Sequence, residues 1–241
     1  MDVNLRDSIY NHQFNFYPTM KVNKGGIILT ILLILAATAF SFYYHKLRTD
    51  IKKPKLAIVS GHGSQIRPFK FLDQDGDTVT NEAIKNKIVV VEYFFTTCLG
   101  ICPVMNENMT KVYQAFKTND DIMILSHTVD PKRDTVEAMK AYSQRFNVID
   151  SKRWKFLTGS KKELYDQAYY SYLLNALENR EENIDEDFIH SNLFVLVDRH
   201  GRLRMHVNKD GNTEAYDGTN EESVAQLIKD IQYLLTEDES I

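Results

Sequence analysis

The run from Val89 to Pro103, Val-Val-Val-Glu-Tyr-Phe-Phe-Thr-Thr-Cys-Leu-Gly-Ile-Cys-Pro, most narrows what this chain can become. Its first half is β-branched and aromatic, the composition of a strand buried on both faces. Two threonines and a Cys-x-x-x-Cys-Pro turn end it. Helix-compatible residues then run from Pro103 to Phe116, with proline at the first helical position, where its missing N–H costs little. A buried strand leading through a short turn into a helix is the first half of a βαβ unit. The only two cysteines of the chain, Cys98 and Cys102, lie in that turn. A helix N-terminus favours negative charge and so favours thiolate. Closing so short a loop with a disulfide stabilises little. The pair therefore reads as a site for redox chemistry or for a soft metal, rather than as a staple.

The chain has 241 residues, room for one domain and appendages, and its net charge of −4 supplies no basic field for nucleic acid. Residues 1–24 form a mixed polar tail. Residues 25–44 carry no charge and end in Tyr43-Tyr44. Twenty such residues at about 1.5 Å each match a hydrocarbon core of roughly 30 Å, and Phe-Ser-Phe-Tyr-Tyr-His is a poor cleavage site. The segment reads as an uncleaved transmembrane anchor. Lys46, Arg48, Lys52, Lys53 and Lys55 follow it, against Lys21 and Lys24 before it, so the positive-inside rule taken alone puts the C-terminal side in the cytoplasm.

Residues 45–65 read as a linker and 66–236 as the folded domain, with a short acidic tail over 237–241. Pro68–Leu72 and Thr78–Thr80 flank Asp73-Gln74-Asp75-Gly76-Asp77 as a hairpin. The central strand and its helix follow; Met105, Met109, Val112 and Phe116 recur at helical spacing, a core stripe rather than a methionine copper box. Ile122–Val129 is a second buried strand. Asp130-Pro131-Lys132-Arg133-Asp134-Thr135 is a loop and cap before a helix from Val136 to Phe146. Lys155–Gly159 is a third strand, Lys161–Leu177 a helix, and Glu178–Asp187 an acidic excursion. Asn192–Val197 and Arg202–Val207 form a closing hairpin, and Val224, Leu227, Ile228, Ile231, Leu234 and Leu235 mark a final amphipathic helix. The order hairpin, β, α, β, α, β, α, β, β, α is an α/β, thioredoxin-like plan with an N-terminal β-hairpin and an inserted excursion, preceded by one transmembrane helix.

Four segments resemble the Sco/SenC family, copper-delivery proteins for cytochrome c oxidase. They are Thr97–Pro103; Thr128-Val129-Asp130-Pro131-Lys132-Arg133-Asp134-Thr135; Trp154 with Leu157-Thr158-Gly159; and His190-Ser191 followed by an apolar strand and Asp198-x-x-Gly201. The likeness spans about residues 66–236. Leu99 and Gly100 depart from the proline and acidic residue usual after the first cysteine. The resemblance implies His190 as the third metal ligand beside Cys98 and Cys102; the residues alone favour it only weakly over His12, His45, His62, His127, His200 and His206. Thiolates suit Cu(I) and imidazole suits copper in either state, whereas structural zinc wants four ligands. Asp130, Arg133 and Asp134 read as a polar brace and helix cap behind the cysteine loop, rather than as acid–base carboxylates.

Two functions follow. The first is a membrane-anchored chaperone that delivers copper to the binuclear copper centre of cytochrome c oxidase, with the oxidase's copper-bearing subunit and other copper carriers as partners. The alternative is a thiol–disulfide oxidoreductase acting on the cysteines of that centre, although the pair is spaced one residue wider than a redox Cys-x-x-Cys; peroxidase-like chemistry is a weaker third. Both place the domain in the periplasm or intermembrane space, against the charge count.

Overall fold

The computed structural model describes residues 24–49, 55–59, 66–148, 152–174 and 191–237. Two units separate by their contacts, Met1–Lys52 and Lys53–Ile241. In the first, α1 spans Lys24–Thr49. Its segment Lys24–Tyr44 has mean hydropathy 2.3 and is long and apolar enough to cross a membrane.

The second unit is built on a twisted sheet. Its strands are β1 (Lys55–Ile58), β4 (Ile88–Phe94), β5 (Ile122–Thr128), β6 (Trp154–Leu157), β7 (Leu193–Val197) and β8 (Leu203–Val207), in the order β1-β8-β7-β4-β5-β6. The pairs β4–β5 and β5–β6 are parallel; β4–β7, β7–β8 and β8–β1 are antiparallel. The thioredoxin-like α/β plan stands. Its N-terminal hairpin is β2 (Lys70–Leu72) with β3 (Thr78–Thr80), followed by the short α2 (Asn81–Ile84). Two further short strands, β9 (Thr213–Glu214) and β10 (Tyr216–Asp217), add to β8 and β7.

Alternation along the strands divides the interior in two. Ile88, Val90 and Phe94 of β4, with Ile122 and Ile124 of β5, face a core closed by α3 (Cys102–Phe116), α4 (Val136–Ser143) and α6 (Glu221–Thr236). Met105, Met109, Val112 and Phe116 are buried there, so the methionine stripe is packing. Val89, Val91 and Tyr93, with Met123 and Leu125, face the hairpin and α5 (Lys161–Asp166).

Three hairpin turns share one design. An Asx side chain accepts hydrogen bonds from the amides two and four residues on: Asp73 from Asp75 and Asp77, Asp198 from His200 and Arg202, Asn208 from Asp210 and Asn212. A glycine sits three residues after each, and Gly76 (φ 81°) and Gly201 (φ 74°) take the left-handed conformation that the reversal needs.

Two expectations need correction. Lys55–Ile58 falls in the linker span yet pairs with Arg204–Val207 as an edge strand; four residues among lysines carry no strand signal of their own, and the open edge of β8 supplies it. The helix from Lys161 is α-helical only to Asp166. It widens to a π-turn over Gln167–Ser171, and Leu173 follows at φ 55°. The wider turn buries Ser171, whose Oγ accepts the Arg67 amide at 3.1 Å, and sets Tyr172 against Tyr93 and His127. The Glu178–Asp187 excursion lies outside the described residues.

Candidate functional site

The site occupies the end of the sheet where the parallel strands finish, the usual place for function in α/β sheets. After Phe94 the chain leaves β4 through Phe95-Thr96-Thr97. The Cys98 amide donates to the Phe95 carbonyl (3.2 Å), which closes the turn ahead of α3. Both cysteines are free thiols; Cys98 is half-buried and Cys102, the first residue of α3, is 3 % exposed.

The helix N-terminus does not make Cys102 a thiolate. Burial pushes its pKa up to about 12, a hydrogen bond to the Cys98 sulfur adds to the rise, and the Phe95 amide opposes it. Desolvation at 3 % exposure exceeds what a helix end supplies. Within the pair, then, Cys102 holds its proton and Cys98 is the less buried of the two.

The loop after β5 holds the cysteine loop from beneath. Asp134 is fully buried. Its carboxylate accepts the Thr96 amide at 3.2 Å from each oxygen, and the hydroxyls of Thr96 and Thr128 as well. It thus ties the start of the cysteine turn, two residues before Cys98, to the end of β5. The cap of α4 is Thr135, whose hydroxyl accepts the Ala138 amide (3.3 Å). Asp130 serves the loop through its backbone carbonyl, which accepts the amides of Arg133 and Asp134 (3.0 and 2.9 Å). The Asp130–Arg133 ion pair is long, at 3.5 Å, and Arg133 is 69 % exposed, so it contributes little.

Glu92 escaped the sequence reading. It is the one charge in the apolar run and lies buried in β4, register-paired with Ser126. Ser126 Oγ donates to Glu92 Oε1 (2.5 Å) and receives the Trp154 indole N–H (2.8 Å), while Oε2 has no partner among the described residues. Burial raises its pKa to about 7, against the Ser126 hydrogen bond. A lone acid in a buried strand was the available signal.

His127 sits on the opposite face, fully buried and stacked on Tyr93 (5.0 Å), with burial lowering its pKa to about 3. His206 Nδ1 contacts Asp230 at 3.1 Å, and His200 lies in the β7–β8 turn. None of these three joins the cysteines: among the described residues no cluster of three His, Cys, Asp or Glu is placed to hold a metal. His190 itself lies outside the described residues. Its neighbours fix only the topology. β7 runs antiparallel to β4, and it begins, at Leu193, at the end of the sheet from which the cysteine loop departs.

A sequence model of the SCO1/SenC family matches residues 59–225. The chain belongs to the SCO1/SenC family. The Bacillus subtilis SCO1 protein homolog is 31 % identical over 212 residues, covering 87 % of this chain and all of its own. A SCO1/SenC family lipoprotein from Bacillus anthracis superposes with a TM-score of 0.58 at 26 % identity, over 74 % of this chain and 99 % of that one. BsSco, described with a disulfide switch and as a member of the Sco family of cytochrome c oxidase assembly proteins, gives 0.55 at 27 %, over 75 % and 99 %. In this SCO1/SenC chain the two sulfurs are donors of the soft kind that Cu(I) prefers, and they share one turn.

Proposed function

We propose that this chain is a membrane-tethered copper carrier that passes copper to the copper-bearing subunit of cytochrome c oxidase. Cys98 and Cys102 hold the ion and His190 completes the site. Family membership supports a place in oxidase assembly, since the related BsSco belongs to a family so described. The observation that carries the reading is the pair of free thiols in one turn, Cys98 half-buried and Cys102 buried at the start of α3. Bound Cu(I) would replace the protons of both thiols, and the metal supplies only its affinity for sulfur. Cys98 is the side from which an acceptor sulfur can enter before Cys102 lets go, so delivery is ligand exchange. Asp134 fixes the turn through Thr96. The helix Lys24–Tyr44 would anchor the domain, and the domain faces the periplasm or intermembrane space; a reporter fused after Ile241 that works only in the cytoplasm would reverse that.

The test is metal binding by the reduced protein. It should take up about one Cu(I), and with Cu(II) it should show a sulfur-to-copper charge-transfer band that His190→Ala weakens or abolishes. An unchanged band removes His190 from the site.

A second reading rests on the same asymmetry. Cys98, once deprotonated, attacks one sulfur of a partner disulfide; that S–S bond breaks, the partner's other sulfur leaves as a thiolate, and a mixed disulfide forms. Cys102 then loses its proton and displaces the partner sulfur, which leaves with both electrons, and a Cys98–Cys102 disulfide remains. The disulfide switch described for BsSco favours keeping this reading. Here His190→Ala retains full reductase activity while either cysteine substitution abolishes it.

A further inference from the structure

From Tyr93 to Asn106 the chain has no charged residue. Within that stretch Leu99 is 97 % exposed, Val104 45 % and Ile101 36 %. Among the described residues of the Lys53–Ile241 unit, only Ile58 and Leu72 are other large apolar side chains so exposed. Exposed apolar side chains are thus gathered beside Cys98, the less buried of the two cysteines. Leu99 touches almost nothing of its own chain, and a Cβ added at the adjacent Gly100 would meet nothing within 4 Å. The rim is open, while Cys102 is closed off behind it.

We propose that Leu99, Ile101 and Val104 form the docking surface for a partner protein whose own metal-binding or disulfide sulfurs sit in an uncharged, apolar collar. The proposal rests on the exchange reading above, because exchange requires a partner sulfur to reach Cys98 within bonding distance. At that separation the surfaces around the two sulfurs are in contact. A charged collar pressed on Leu99 would lose hydration and gain no counter-charge from this stretch, whereas an apolar collar sheds water on both sides. A lipid surface fits less well. Interfacial segments pair their apolar face with Lys or Arg and with Trp or Tyr at the headgroups; this stretch has no Lys, Arg or Trp, and its tyrosine, Tyr93, is buried.

The test uses the full chain in detergent micelles, loaded with Cu(I), and the metal-free copper-bearing domain of the oxidase as acceptor. Leu99→Asp should slow transfer by roughly tenfold or more, and Leu99→Met should restore it. Cu(I) affinity by chelator competition, and the rate of reaction with glutathione disulfide, should stay within about twofold, since a surface substitution leaves the fold undisturbed. Transfer at the wild-type rate by Leu99→Asp overturns the proposal, as does an equal slowing with glutathione disulfide. A slowing seen in lipid nanodiscs but not in micelles makes lipid the occupant and also overturns it. If the wild type moves no copper to this domain, the copper-carrier reading fails separately. The rim is then judged on disulfide exchange with the oxidised domain, where wild-type speed for Leu99→Asp overturns it.

Discussion

The two faces of the central sheet are made of alternate residues of the same strands, yet they handle a buried ionisable group in opposite ways. On the cysteine side Glu92 sits opposite Ser126; one register step on, Tyr93 sits opposite His127 on the other side. Both groups are fully buried. Glu92 keeps a polar chain, through Ser126 to Trp154, in the same core as Cys102. Among the described residues no side chain hydrogen-bonds either ring nitrogen of His127, which is held by the rings of Phe71, Tyr93 and Tyr172. Burial favours the neutral form of each, which raises the acid and lowers the base. One face is therefore packed around a group that can still hold or release a proton near neutrality, the other around one locked neutral.

Breaking the polar chain at its far end should have the largest effect. Trp154→Ala removes a fully buried side chain and the donor to Ser126, and should cost about 3–5 kcal/mol in chemical denaturation. Glu92→Gln sharpens the contrast through pH. The folded pKa, about 7, lies above the ordinary 4.5, so the native state binds more protons than the unfolded chain between these values. Stability then falls as pH rises through that window, and the loss is complete above pH 7. The variant should match wild type near pH 4.5 and exceed it by about 3 kcal/mol at pH 8; parallel denaturation curves at the two pH values would refute this.

His127→Phe tests the other face. Here the folded pKa, about 3, lies below the ordinary 6.5, so the unfolded chain binds more protons between them and wild-type stability falls as pH drops below 6.5. The substitution should remove that slope and gain roughly 2 kcal/mol at pH 4.5, with no change in Cu(I) affinity. The smallest effect belongs to the rim, since Leu99→Asp should move the unfolding free energy by no more than about 0.5 kcal/mol.

Much of this was legible because burial on both faces leaves a plain mark. The apolar runs of β4 and β5 read directly as central strands, and the apolar spacing of α3 and α6 assigned their inner faces. What escaped depends on partners distant in sequence. Asp134 could be seen as a cap or brace, but its grip on Thr96 and Thr128 arises only when two strand ends meet. The charge state of Cys102 followed a local rule, the helix terminus, until burial outweighed it. The π-turn after α5 answers to Arg67, about a hundred residues upstream.

The pairing of Lys55–Ile58 with β8 bears on how the soluble part can be made. A recombinant fragment begun at residue 66 would strip that ribbon away and bare a row of amides and carbonyls on β8, an invitation to edge-to-edge association. Cutting at Lys53 instead keeps β8 paired along Arg204–Val207, and only the four-residue β1 stands at that edge.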